Sequence, residues 1–227
     1  MSETHLMVYV GDSIDIGYVP KLALLCEQLQ KDFPDLVNII PSYTSIMVEF
    51  HPSYDVSKLT QYLSKMLDQF DQLKASSQQK LIELPTYYHP DVAPDLITLA
   101  QQKKLSIEEV IAIHTNQEYT VCAIGFTPGF AFLGVIDERI AHPRHEEPRL
   151  QVAKGSVGIA DQQTAVYPSN SPGGWQIIGN CPVSLFDPHS TPITPFNVGD
   201  TVKFVSIDKQ EFLALGGVIE HSKERVK

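Results

Sequence analysis

From Tyr119 onward the chain breaks into short strand-like runs: YTVCAIGF, GSVGIA, QTAVYP, GWQIIG, TVKFVSI and EFLAL. The runs are broken by glycine and proline. Strands this short cannot enclose a core singly, so the pattern predicts a sandwich or a closed barrel. Within this half, YPSNSPGGWQIIGNCP (Tyr167–Pro182) holds the only tryptophan, Trp175, directly behind Pro172-Gly173-Gly174. The crowding of proline and glycine ahead of an indole and an Ile-Ile pair predicts a rigid turn leading into a strand at a cavity rim.

The first half has a different texture. HLMVYV reads as a strand. PKLALLCEQLQKDF places Leu22, Leu25, Leu29 and Phe33 at helical spacing. VNIIPSYTSIMVEF reads as two strands joined across Pro41–Ser45, and Asp55–Leu73 as a second amphipathic helix. KLIELPTYY closes as a further strand. The order β-α-β-β-α-β is the split βαβ arrangement of ferredoxin-like domains. An α+β chain is therefore expected, with one domain over 1–84 and a second over 85–227, the join lying near Leu84–Pro90. Two short helices follow the join: APDLITLAQQKK, with Asp95 in its first turn, and SIEEVIAIHT, where Ser106 and Glu109 form a capping box.

Composition bounds the function. A net charge of −10 argues against a general nucleic-acid binder. Hydrophobic residues at 43% with 19% charged suit a chain that builds a core. No run approaches the roughly 18 apolar residues of a membrane span. MSETHLMVYVGD does not read as a signal peptide. Cys26, Cys122 and Cys181 form an odd set without CxxC spacing, so a reducing cytoplasm is the expected location.

Three groups of residues carry candidate chemistry. In GFTPGFAFLG, glycines that permit close backbone approach alternate with Phe126, Phe130 and Phe132, while Pro128 stiffens the middle; the cluster suits a pocket wall or a packed turn. Three of the four arginines, Arg139, Arg144 and Arg149, fall in ERIAHPRHEEPRL. Arg144 and Arg149 each follow a proline, and a guanidinium fork suits carboxylate or phosphate; pairing with Glu138, Glu146 and Glu147 is the bland alternative. His114 at a helix end is either a C-terminal cap or a general acid/base at a pocket mouth. HPRHEE has no established metal-ligand spacing, and Pro143 forbids a regular helix presenting both imidazoles, so no metal site is expected. KGSVG is not a nucleophile elbow, and no Walker-type phosphate loop occurs.

HTNQEYTVCAIGFTPGFAFLG, PRHEEPRLQVAKGSVGIADQQTAVYP and SPGGWQIIGNCPVSLFD together resemble the allophanate hydrolase subunit 1 family, which includes the B subunits of 5-oxoprolinases and a sporulation-kinase inhibitor. The likeness runs from the N-terminal GDS to TVKFVSI. It implies a ferredoxin-like lobe followed by a cyclophilin-like β-barrel. It also implies an ATP-dependent 5-oxoprolinase, assembled with subunits C and A, that opens 5-oxoproline to L-glutamate. A lactam carbonyl is a poor electrophile until its oxygen is phosphorylated, so such a site needs cations and a carboxylate anchor. ATP with Mg2+ is implied for the complex, with no site assigned in this chain. The family pattern puts His114, Arg144 and Arg149 in catalytic positions. Phe126, Pro128, Phe130, Gln163, Thr164, Tyr167, Ser171, Gly173 and Trp175 fall at substrate-binding ones. Departures include Asn180, where the family often carries Arg or Lys. The alternative implied function is inhibition of a sensor histidine kinase; allophanate hydrolysis lacks its Gly/Ser-rich amidase signature here.

Overall fold

A computed structural model describes residues 3–12, 15–73 and 79–219. The N-terminal layer is a three-stranded antiparallel sheet of β1 (His5–Tyr9), β2 (Asn38–Ser42) and β3 (Ser45–Glu49), in the order β1-β3-β2. Two helices cover one of its faces: α1 (Val19–Asp32) and α2 (Val56–Asp68). The leucine spacing explains α1, because Leu22, Leu25 and Leu29 form one fully buried stripe, and Pro20 sits in its first turn where no amide hydrogen is needed. Asp55 caps α2 by accepting from the Ser57 amide at 3.0 Å. Val8, Ile46 and Val48 alternate inward to meet Leu25, Leu59 and Leu63. Tyr43 turns the β2–β3 hairpin with φ 49°.

One expectation fails here. β4 (Leu81–Thr86) does not complete a ferredoxin-like sheet; it pairs in parallel with β12 (Thr201–Ser206) in the larger sheet. The reason is packing. Ile82 and Leu84 alternate into the same core as Val202 and Phe204, so the strand goes where its apolar face is completed. A domain join drawn at Leu84 falls inside this strand. Of the polar KASSQQK segment, residues 74–78 lie outside the described residues.

The larger sheet has seven strands in the order β11-β8-β9-β6-β5-β12-β4. Its remaining members are β5 (Tyr119–Ile124), β6 (Ala131–Gly134), β8 (Ser156–Ala160), β9 (Gln163–Val166) and β11 (Gln176–Asn180). Beyond β4, Tyr87 exchanges two backbone hydrogen bonds of 2.9 Å with Asn180 at the end of β11. The two edges therefore meet, and the sheet is a nearly closed barrel. α3 (Leu96–Lys103) and α4 (Ile107–Thr115) pack against it. The capping box of α4 is present, with Ser106 and Glu109 bonding reciprocally at 2.7 and 3.1 Å. A two-stranded ribbon of β7 (Arg149–Val152) and β10 (Ser171–Gly173) stands apart. EFLAL, expected as a strand, lies in the short helix α5 (Lys209–Ala214) and the turn after it. Asp208 caps this helix by accepting from the Glu211 amide at 2.8 Å. The N-terminal hairpin is tied to the barrel by the Tyr43 amide, which donates to the Cys122 carbonyl at 3.0 Å, and by Gln163 Nε2, which bonds the Tyr43 hydroxyl.

Candidate functional site

The loop before β6 builds an aromatic wall. Phe126 holds φ 72°, a left-handed backbone that a bulky residue adopts only under constraint, and the residue is 64% exposed. Gly129 has φ 81°, and a Cβ there would lie 2.7 Å from the Leu185 carbonyl, so only glycine fits. This turn drives Phe130 inward, where it meets Phe132, Tyr167 and Trp175 edge-on at centroid distances of 4.8, 5.4 and 5.7 Å. Gly173 has its own reason for lacking a side chain: the Tyr167 hydroxyl occupies the space that a Cβ would fill.

These rings enclose a cavity of about 350 Å³ lined by Phe126, Phe130, Phe132, Arg144, Pro148, Tyr167, Pro172, Gly173 and Trp175. Trp175 is buried and forms part of the wall. Arg144 is the one charged lining residue, and its guanidinium lies alongside Gly174. Burial pushes the Tyr167 phenol up, opposed by a hydrogen bond with the Trp175 backbone and by the charges of Arg144 and Arg149.

The other expected site residues lie elsewhere. Arg149 does not line this cavity. Its Nη2 donates to Asp95 Oδ1 at 2.5 Å and its Nη1 to the Trp175 carbonyl at 3.4 Å. Its remaining surface borders a separate groove of about 270 Å³ between Pro90, Pro94 and Asn180. His114 is at no pocket mouth: it is fully buried in the barrel, against Tyr119 and Phe204. Its Nδ1 is 2.7 Å from the Tyr88 hydroxyl and its Nε2 is 2.9 Å from Thr164 Oγ1. Thr164 donates its hydroxyl hydrogen to the Gly158 carbonyl, so Nε2 carries the imidazole proton and Tyr88 donates to Nδ1. Desolvation lowers the pKa of His114 to about 3. Gln163 is occupied with Tyr43, Pro128 is exposed on the loop, and Ser171 lies on β10 outside the lining, its buried hydroxyl without a hydrogen-bond partner.

Phe132 and Pro172, from the expected aromatic wall and rim turn, line the cavity too, and Pro148 completes it beyond the expected residues. Phe132 carries a further signal, the Phe-x-Phe alternation of a strand with one wetted face; Pro148 carries none beyond its place beside Arg149. Among the described residues no group of three or more His, Cys, Asp or Glu is placed to hold a metal ion. His142 instead bonds Gln102 at 2.5 Å, and His145 faces Asp95 at 3.4 Å. The cysteines are free thiols, and burial raises Cys26 and Cys181 to about 12 and Cys122 to about 11, which holds them in the protonated form. The cavity does not fit ATP: one guanidinium, with no glycine-rich phosphate loop, is too little cation for a triphosphate.

The fold and site together define an α+β protein whose nearly closed barrel carries an aromatic cavity with a single basic group. Residues 1–196 match the family model described as carboxyltransferase domain, subdomain C and D. The chain is 39% identical to the 5-oxoprolinase B subunit of Bacillus subtilis (strain 168), covering 94% of each chain. It is 35% identical to the 5-oxoprolinase B subunit of Escherichia coli O157:H7, covering 90% of this chain and 93% of that one. The chain belongs to this family of 5-oxoprolinase B subunits. Its fold also matches the crystal structure of TTHA0988, with a TM-score of 0.75 and 30% identity over 90% of this chain. There it spans only 40% of the longer polypeptide. Among the described residues no helix is long and apolar enough to cross a membrane.

Proposed function

We propose that this chain is the B subunit of an ATP-dependent 5-oxoprolinase, acting in the cytoplasm with subunits C and A to open 5-oxoproline to L-glutamate. The observation that carries the reading is the aromatic cavity bearing Arg144 as its only charge. The substrate is a compact five-membered lactam with one carboxylate. Its ring suits the walls of Phe130 and Trp175, and its carboxylate suits a guanidinium fork. Arg144 is then the substrate anchor, and the apolar walls exclude water from the lactam. ATP and Mg2+ belong with groups from the partner subunits, because this cavity does not fit a triphosphate. The longer TTHA0988 chain, most of which lies outside the match, supports a unit that works beside further polypeptide.

Co-expression with the partner subunits, followed by assay of 5-oxoproline-dependent ADP release, tests the proposal. Arg144→Ala is expected to raise KM for 5-oxoproline on the order of tenfold to 100-fold, the cost of one charge-assisted hydrogen-bonding partner. An assembled complex with no such release ends the reading. A chain that instead captures a sensor histidine kinase would point to the inhibitor function.

A further inference from the structure

Asp95 stands immediately before α3, yet its side chain does not cap that helix. Its carboxylate is buried; Oδ1 faces both Arg149 and, at 3.4 Å, His145 Nε2, while Oδ2 serves the backbone. Oδ1 takes Arg149 Nη2 at 2.5 Å, while Oδ2 accepts from the Ile177 amide at 2.7 Å. The Asp95 amide in turn donates to the Ile177 carbonyl at 3.1 Å. Arg149 Nη1 reaches the Trp175 carbonyl. One acid–base pair therefore grips the entry of β11 at both Trp175 and Ile177.

The same strand entry holds the Arg144 loop. The His145 amide donates to the Gly174 carbonyl at 2.6 Å, and Gln176 Nε2 donates to the Pro143 carbonyl at 3.0 Å. Trp175 and Arg144, a wall of the cavity and its cation, are thus referred to one frame anchored on Asp95. A part-buried ion pair contributes little net stability compared with apolar packing, so its consequence here is geometric. Supporting contacts of this kind keep a site within a fraction of an ångström of its working shape.

We infer that Asp95 and Arg149 are positioning residues of the aromatic cavity, acting through Trp175 and the Arg144 loop without touching the ligand. The kinetic half of the test rests on the 5-oxoprolinase reading; the spectroscopic half does not, because Trp175 is the sole tryptophan and its emission reports the wall directly.

The experiment compares Asp95→Asn, Arg149→Gln, the double variant and Arg149→Lys, each in the full chain and in the complex assembled with its partner subunits. Either single removal of charge is expected to red-shift Trp175 emission, increase its quenching by acrylamide, and raise KM for 5-oxoproline on the order of tenfold to 100-fold, with kcat changed far less. The double variant should be no worse than the poorer single one, since both break the same link. Arg149→Lys should restore part of the effect by keeping the charge on Asp95. Unchanged Trp175 emission and KM in Asp95→Asn overturn the inference. So does loss of turnover in Arg149→Gln with Trp175 unmoved, which would mark Arg149 as a direct ligand contact. If circular dichroism shows that Asp95→Asn does not fold, Arg149→Gln decides, because an unshifted Trp175 there overturns the inference. A wild-type complex without 5-oxoproline-dependent ADP release removes the functional reading and leaves the emission measurements to decide on positioning.

Discussion

His114 shows how one side chain's surroundings decide its work. Sealed between Tyr88, Thr164, Tyr119 and Phe204, the imidazole stays neutral because a charge there would be stripped of water. Its pKa falls from an ordinary 6.5 to about 3. The folded state thus refuses a proton that the unfolded chain accepts. The stability tied to this residue is complete above pH 6.5 and is lost as pH falls toward 3. Between pH 7 and pH 5 the loss is roughly 2 kcal/mol, from about 1.4 kcal/mol per pH unit below 6.5. Urea unfolding at the two pH values should show a pH 7 to pH 5 loss of stability that is smaller by that amount in His114→Gln. NMR of the wild-type imidazole should show no titration between pH 5 and 8; a midpoint near 6.5 would contradict the buried, neutral assignment.

At the scale of elements, local signals are legible and long-range ones are not. Leucine spacing marks α1, and the Ser-x-x-Glu box marks the start of α4, because both are written within a few residues. Ser106→Ala should cost about 1 kcal/mol, the usual contribution of an N-cap, measured by chemical denaturation. No change in the unfolding midpoint would mean that the α4 cap is idle. EFLAL misleads because an apolar run of that length suits either state; Asp208 ahead of Glu211 is the helix signal to weigh. The partner of β4 is not legible at all, since LIELPT alternates equally well for either sheet and only the assembled core chooses between them. The candidate site divides in the same way. The Gly/Phe loop and the Pro-Gly-Gly-Trp corner announce an aromatic pocket. Arg149 looks like a member of it because nothing in the chain shows that Asp95, 54 positions earlier, takes its guanidinium.

For the whole molecule, the seam between β4 and β11 decides whether the larger sheet is a barrel or an open sheet with two exposed edges. The seam is narrow: Tyr87 and Asn180 exchange one pair of backbone hydrogen bonds. Asn180 reinforces it, since its Nδ2 donates to the Lys154 carbonyl at 3.1 Å and ties the strand end to the turn before β8. Closure also gives α3 a rigid base, because the Asp95 amide bonds β11 at Ile177, only three residues before the seam. Native-state hydrogen exchange by NMR tests the arrangement. The Tyr87 and Asn180 amides should exchange as slowly as those of β5, near the global unfolding limit, because breaking the seam opens the core cluster that contains Tyr88 and Ile178. Fast exchange of both amides beside a protected β5 would show that the edges part in solution, and Asn180 would then keep only its local hydrogen bond to Lys154.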